Sequence, residues 1–193
     1  MDFKKEDARI RRTKKKLFIT FYSLLNEKDY ESITVNEICS RADIRRATFY
    51  KHFASKDDFA KYFVISLREQ FDKRRWKKSQ PGATSDYYIE YLREIVSFFS
   101  KNPIIASRVL KSQELWTIIS IVMSQNYDDT CDRLRKSISE GMSLPSSVET
   151  VASFLTGGLT HSILNWLSCE NPMPEQQFVQ EVSCVILAML GQR

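Results

Sequence analysis

Within the eight residues from Arg45 to His52 the chain places two guanidiniums, a lysine, a histidine, a threonine hydroxyl and a tyrosine. These groups donate hydrogen bonds and carry positive charge, and the arginine fork matches the paired O6 and N7 acceptors of guanine. Such a grouping suits recognition of a phosphate-bearing polymer rather than the making and breaking of bonds. Catalysis needs converging reactive groups. Here the two histidines, His52 and His161, lie far apart, and there is no G-x-S-x-G, no phosphate loop and no His/Cys/Glu set at metal spacing. Neither an enzyme nor a cofactor site is expected.

To present those side chains the chain must build a short, outward-facing helix on a rigid base. Thr34-Val35-Asn36-Glu37 has the Thr-x-x-Glu spacing of a capping box and starts one short helix that runs to about Ala42. Asp43 stands where the chain must turn, since Asp tolerates the left-handed conformation. A second short helix covers about Arg45–His52. Val35, Ile38, Ala42, Ile44, Phe49 and Phe53 should pack both against a preceding helix. That helix carries the apolar stripe Ile10, Leu17, Phe18, Phe21, Leu24 and Leu25 opposite a Lys/Arg-rich face. Ser55 caps a long helix that ends in the basic run Lys73–Lys78, with Asp57 and Asp58 on the positive end of its dipole.

Charge divides the chain. Residues 1–80 hold 21 Lys/Arg against 12 Asp/Glu, and residues 81–193 hold 8 against 12. A basic front and an acidic back suggest that one half meets a polyanion. The breakers Ser79-Gln80-Pro81-Gly82 mark the change of sign. Cys39, Cys131, Cys169 and Cys184 form no C-x-x-C pair and lie among apolar residues, so they read as buried, reduced thiols. With no apolar stretch in Met1–Lys16 to form a leader, a cytoplasmic protein is expected. The charge-free stretch Thr150–Cys169 carries too many polar groups for a lipid-facing span, so no membrane partner is expected.

Only 5 Gly and 5 Pro in 193 residues favour long helices, and the fold class is all-α with about nine of them. Helices are expected around Ile89–Phe99, from Pro103 to about Leu110, and over Leu115–Ile138 as one helix or a broken pair. A further one is capped by Ser146 or Ser147, and the last begins at Pro174.

The run Thr34 to Lys56, above all Thr48-Phe49-Tyr50-Lys51-His52-Phe53-Ala54-Ser55-Lys56, closely resembles the DNA-binding signature of the TetR family of bacterial regulators. The likeness is strong over about Lys14–Phe63. It departs where Asp43 stands in place of the usual turn glycine and Arg45 in place of a small capping residue. The second change leaves the recognition helix without a side-chain cap, a loss of about 1 kcal/mol. The resemblance implies an N-terminal three-helix helix-turn-helix domain (1–56) and a C-terminal helical ligand-binding and dimerisation domain (57–193), joined by a connecting helix over about 56–78. It implies double-stranded DNA as partner, with Arg45 and Arg46 at base edges and Thr34, Ala47, Thr48, Tyr50, Lys51, His52 and Lys56 lining the groove or gripping phosphates. Read without it, Arg45 and Arg46 could be a solvated face, Tyr50 a half-buried core ring and His52 a helix-end residue.

In the second half, an uncharged helix needs covering. Val151, Leu155, Gly158, Leu159, Ser162, Ile163 and Trp166, with Phe178, Val182, Val185 and Met189 of the last helix, form the candidate four-helix homodimer interface. Tyr62, Phe63, Tyr88, Tyr91, Phe98, Trp116, Met123 and Tyr127 are candidate walls for a small-molecule effector, whose class the sequence leaves open. The expected function is a ligand-responsive repressor binding a pseudo-palindromic operator as a dimer. The alternative is a helical ligand-binding or protein-interaction module that keeps the helix-turn-helix only as scaffold.

Overall fold

The computed structural model describes residues 8–78 and 84–190, without the side chains of 71–78 and 120–125. Among the described residues there are nine α-helices, one 3-10 turn and no strand. Helix α1 spans Ala8–Glu27, followed by the 3-10 turn Tyr30–Ser32, α2 (Val35–Ala42), α3 (Arg46–Tyr50) and α4 (Lys56–Lys78). The larger part holds α5 (Thr84–Lys101), α6 (Pro103–Lys111), α7 (Gln113–Ser139), α8 (Val148–Ser168) and α9 (Glu175–Met189).

Local chemistry explains the ends. The Thr34 hydroxyl caps α2 by accepting from the Glu37 N–H at 3.2 Å. The Glu37 carboxylate turns to Lys28 at 2.8 Å and to Arg41 at 3.3 Å, so half of the expected capping box forms. The α4 start is capped in both directions: Ser55 Oγ accepts from the Asp58 N–H at 3.1 Å, and Asp58 accepts from the Ala54 N–H at 2.9 Å. Pro103 opens α6, where its missing N–H costs nothing. Pro174 sits one residue before α9 rather than as its first residue. The stretch read as one helix or two is a single 27-residue helix, α7.

Two apolar cores form. The first joins α1 to α4 around Phe21, Tyr30, Phe49 and Phe59, and includes Ile105 and Val109 of α6 and Leu115 and Ile118 of α7. Phe21, Phe53 and Phe63 ring Phe59 or each other with centroids 4.8–5.2 Å apart. Truncating one such buried ring costs about 3–5 kcal/mol. The second core joins α5, the C-terminal half of α7, α8 and α9 around Leu92, Val96, Leu134, Leu155 and Ile186. Helix α7 is therefore common to both cores.

Two expectations need correction. Cys39 and Cys131 are buried, but Cys169 and Cys184 are exposed, at the end of α8 and on α9. All four are free thiols. Helix α8, whose one carboxylate is Glu149 in its first turn, is only half covered within the protomer, with Phe154 left 65% exposed. Among the described residues no helix is long and apolar enough to cross a membrane.

Candidate nucleic-acid interface and ligand cavity

Helices α2 and α3 meet at a tight turn whose pivot is Asp43, in the left-handed region at φ 53° and ψ 52°. Its N–H bonds back to the Ser40 carbonyl, and the next N–H, that of Ile44, to the Cys39 carbonyl at 2.9 Å. These bonds close the end of α2 and send the chain straight into α3. Arg45 stands before α3 in extended conformation and makes no side-chain cap. One face of α3 is anchored by the fully buried Phe49. Opposite it Arg45, Arg46, Ala47, Tyr50 and Lys51 are exposed, with Thr48 and His52 half-buried at the margins.

The electrostatics of this face are selective. On α2, Arg41 is neutralised by Glu27 and Glu37. Among the described residues, Arg45, Arg46 and Lys51 pair with no carboxylate, and the Arg46 guanidinium lies 6.0 Å from the centre of the Tyr50 ring. Unpaired surface cations on one helix face are what a polyanion requires. Lys14 of α1 reaches over the Tyr62 ring at 5.2 Å. The Lys4 and Lys5 part of the basic arm lies outside the described residues.

Lys56 is placed differently from the others. Its ammonium donates to the Tyr30 carbonyl at 3.0 Å, lies 4.0 Å from the centre of the Tyr30 ring and 3.9 Å from the Glu114 carboxylate, and its side chain is 19% exposed. It is held as a joint between α4, the 3-10 turn and α7. Four further contacts run along the same seam. Ser112 donates to Glu31 at 2.5 Å, Arg108 pairs with Asp29 at 3.3 Å and donates to the Leu25 carbonyl, and Tyr22 donates to Asn102. Sequence reasoning missed Asp29, Glu31, Arg108, Ser112 and Glu114. No periodicity links residues some 80 positions apart.

Between the two cores lies an apolar cavity of about 150 Å³. Of the candidate walls, Phe63, Tyr91, Phe98 and Trp116 line it, together with Leu67 and Arg68 of α4. Tyr88 and Tyr91 line a smaller adjoining space of about 40 Å³. Tyr62 lines neither; its ring packs on Phe53 at 5.2 Å in the first core. Tyr127 packs against the second core. Met123 lies in α7, and its side chain is outside those described. Among the described residues no group of three or more His, Cys, Asp or Glu could hold a metal ion.

The expected dimer face also changes. Val151, Leu155, Leu159, Ile163 and Phe178 are buried in the protomer's own core, because one side of α8 already packs on α7 and α9. Trp166 stacks on Phe178 at 5.1 Å and is half-buried, as are Ser162, Val182 and Met189. The outward side instead shows Phe154, Gly157, Gly158, His161 and Val185.

A turn-linked helix pair with an unpaired cationic face, carried on a larger helical body with an internal cavity, is a helix-turn-helix arrangement that can meet a polyanion on one side and enclose a small apolar molecule on the other. Comparison with known proteins agrees. Residues 22–63 match the family described as "Bacterial regulatory proteins, tetR family". A curated relative, the HTH-type transcriptional regulator YxbF of Bacillus subtilis (strain 168), is 40% identical over 62 residues, which are 32% of this chain and 16% of that protein. Among solved structures, one from Syntrophomonas wolfei str. Goettingen, described as a TetR-family transcriptional regulator, aligns with a TM-score of 0.73 at 14% identity, covering 94% of this chain and 96% of that one. The regulator FadR of Bacillus subtilis, solved in complex with stearoyl-CoA, aligns at 0.61 and 15% identity, covering 91% and 96%. Over residues 22–63 the chain is similar to the tetR family of bacterial regulatory proteins, and its overall fold is like that of solved regulators of that family.

Proposed function

We propose that this chain is a transcriptional regulator that represses by binding double-stranded DNA as a dimer, with α3 in the major groove, and that releases it when a small molecule fills the cavity between its cores. The observation that carries this reading is the outward face of α3, where Arg45, Arg46 and Lys51 have no protein carboxylate to neutralise them while Arg41 on α2 does. A scaffold-only helix-turn-helix would have no reason to keep that face unpaired. Arg45 and Arg46 at the start of α3 read base edges, and Thr34, Thr48, Tyr50, Lys51 and His52 line the groove and backbone. Lys56 acts at the seam. This division assigns DNA contact to residues before α4 and ligand and partner contact to α4 and the helices after it. Such a protein works in the bacterial cytoplasm, where the DNA is.

Dimerisation is assigned to the outward side of α8 and α9. A side chain on Gly157 or Gly158 would meet nothing within 4 Å in the protomer, so its own packing does not require glycine there. Close approach of a second copy does, and the adjacent Phe154 and Val185 supply apolar area for it. Two α3 helices at fixed separation then require a pseudo-palindromic site with half-sites about 34 Å apart.

Ligand control follows from the seam. Trp116 and Leu115 in the first turns of α7 line the cavity, and Glu114 and Ser112 beside them hold Lys56 and Glu31 of the DNA-binding part. A ligand that shifts this turn changes both at once, which is a differential contact of the kind coupling needs. The test is binding of the dimer to random and selected palindromic duplexes across a salt series. Affinity falling steeply with salt, and a preference for symmetric sites, is expected. Weak, salt-independent association with both would restore the scaffold reading.

A further inference from the structure

Tyr88 is 4% exposed, and its hydroxyl has no hydrogen-bond partner. Among the described residues it is the one buried side-chain polar atom left in that state. An orphaned buried hydroxyl normally costs stability unless water or a ligand meets it. This one lines the smaller space of about 40 Å³ beside the apolar cavity, and the two share walls: Tyr91, Ile95, Asn126, Thr160 and Ile163 line both.

The two spaces differ in chemistry. The larger is walled almost wholly by hydrocarbon, from Phe63, Leu67, Phe98, Trp116 and their neighbours. A dry apolar cavity of about 150 Å³ is the size that accepts a benzene ring, so it takes roughly six carbons without rearrangement. The smaller has Asn126, Thr130 and Thr160 on its walls, with Asp129 and Arg133. Asp129 is taken by Arg68, and Arg133 lies 3.5 Å over the Tyr87 ring, so the charged groups around this end leave one cation in excess. Burial pushes the Tyr88 phenol up to about 12, against the weaker opposing effects of the nearby Thr130 hydroxyl and the Arg133 charge, so near neutral pH it keeps its proton.

Together these features describe an amphipathic ligand in one orientation. We infer that the effector is a carboxylate with a hydrocarbon tail: the tail fills the chamber against Phe98 and Trp116, and a carboxylate oxygen accepts the Tyr88 hydrogen bond in the adjoining space. This rests on the ligand-responsive reading above and assigns the class and pose of the ligand.

The test is calorimetric titration of the intact protein, without DNA, with straight-chain carboxylates from butanoate to decanoate and with benzene as a headless probe. Affinity should rise about fourfold per methylene until the chamber is full and then level off. Tyr88→Phe should weaken carboxylate binding at least about tenfold while leaving benzene binding unchanged. The substitution removes one oxygen from a residue whose ring keeps its packing, and an unaltered thermal melt confirms that the variant is folded. If Tyr88→Phe binds carboxylates as well as the parent, the hydroxyl is met only by water and the inference fails. It fails also if benzene alone binds. Release of DNA is then measured separately: carboxylate binding that depends on Tyr88 but leaves DNA affinity unchanged would overturn the regulator reading and not the site.

Discussion

Ser112 and Glu31, 81 residues apart in sequence, share one hydrogen bond of 2.5 Å, and the same Ser112 oxygen caps α7 by accepting from the Leu115 N–H at 3.1 Å. One hydroxyl therefore starts the helix that lines the cavity and ties it to the DNA-binding part. Ser112→Ala should lose the cap and the tie together, lowering stability by about 1–2 kcal/mol. The loss should depend on pH. The hydrogen bond from Ser112, then Glu31's own backbone N–H, hold the Glu31 carboxyl below its ordinary value of 4.5, with Lys56 adding to the effect against burial. A depressed acid contributes stability above its unfolded value, and that stability is lost as pH falls through the folded one. In denaturant titrations the difference between the two proteins should be largest at pH 7 and shrink as pH falls below 4.5, leaving the part due to the lost cap, which does not titrate.

Arg46 and Glu114 should act on DNA binding in opposite ways. Arg46→Ala removes an unpaired fork at the start of α3, which should cost about 1–3 kcal/mol on a selected site and flatten preference at one base position. Glu114→Gln releases Lys56 from its carboxylate, 3.9 Å away, and removes a negative charge near the DNA face. It should tighten binding to every duplex alike and steepen the salt dependence, as measured by fluorescence anisotropy at several salt concentrations. Tightening confined to one sequence would argue against this role for Lys56.

Asp43 carries the left-handed turn with its side chain 99% exposed and only a long contact, 3.9 Å, to Lys16. With so little local compensation, Asp43→Gly should raise the melting temperature, by up to about 1 kcal/mol of stability, because glycine has no Cβ to crowd the following carbonyl. A lower melting temperature would mean that the carboxylate does more for the turn than its contacts suggest.

Phe154 tests the partner surface. Phe154→Glu places charge at the centre of the proposed interface but disturbs no protomer contact, since the ring is 65% exposed. Sedimentation should show monomers of unchanged melting behaviour, and affinity for a two-half-site duplex should fall toward that for a single half-site. A dimer that persists would move the interface elsewhere.

Much of this was legible in the chain because it is local. The turn at Asp43, the caps at Thr34 and Ser55, and the cationic run from Arg45 are each set by a few neighbouring residues, and helical period marked most of the rest. What could not be read is which side of an apolar helix meets its own protomer. Leu155 and Phe154 are adjacent and both apolar, yet one is buried and the other open to solvent. In α8 the outer stripe of Ser153, His161 and Asn165 is interrupted by Gly157 and flanked by Phe154, so the outside is only weakly marked in the sequence. For the same reason Tyr62 and Phe63 read alike, although Phe63 lines the cavity and Tyr62 does not. Lys56 looked like a phosphate grip because its sequence neighbourhood is that of one; the acid that holds it lies on α7.

The ligand cavity touches α4 from Phe63 to Arg68, and the far end of that contact, at Leu67 and Arg68, is about three turns and some 16 Å from its first residue, Lys56. A stiff rod of that length turns angle into distance. Tilting it by about 5° about the cavity end carries the helix-turn-helix by roughly 1.5 Å, and in a symmetric pair the two readers part or close by about twice that. Against a fixed step of about 34 Å between successive grooves, a few ångströms is enough to spoil simultaneous docking. A molecule no larger than a short fatty chain can thus be felt across a span many times its own size.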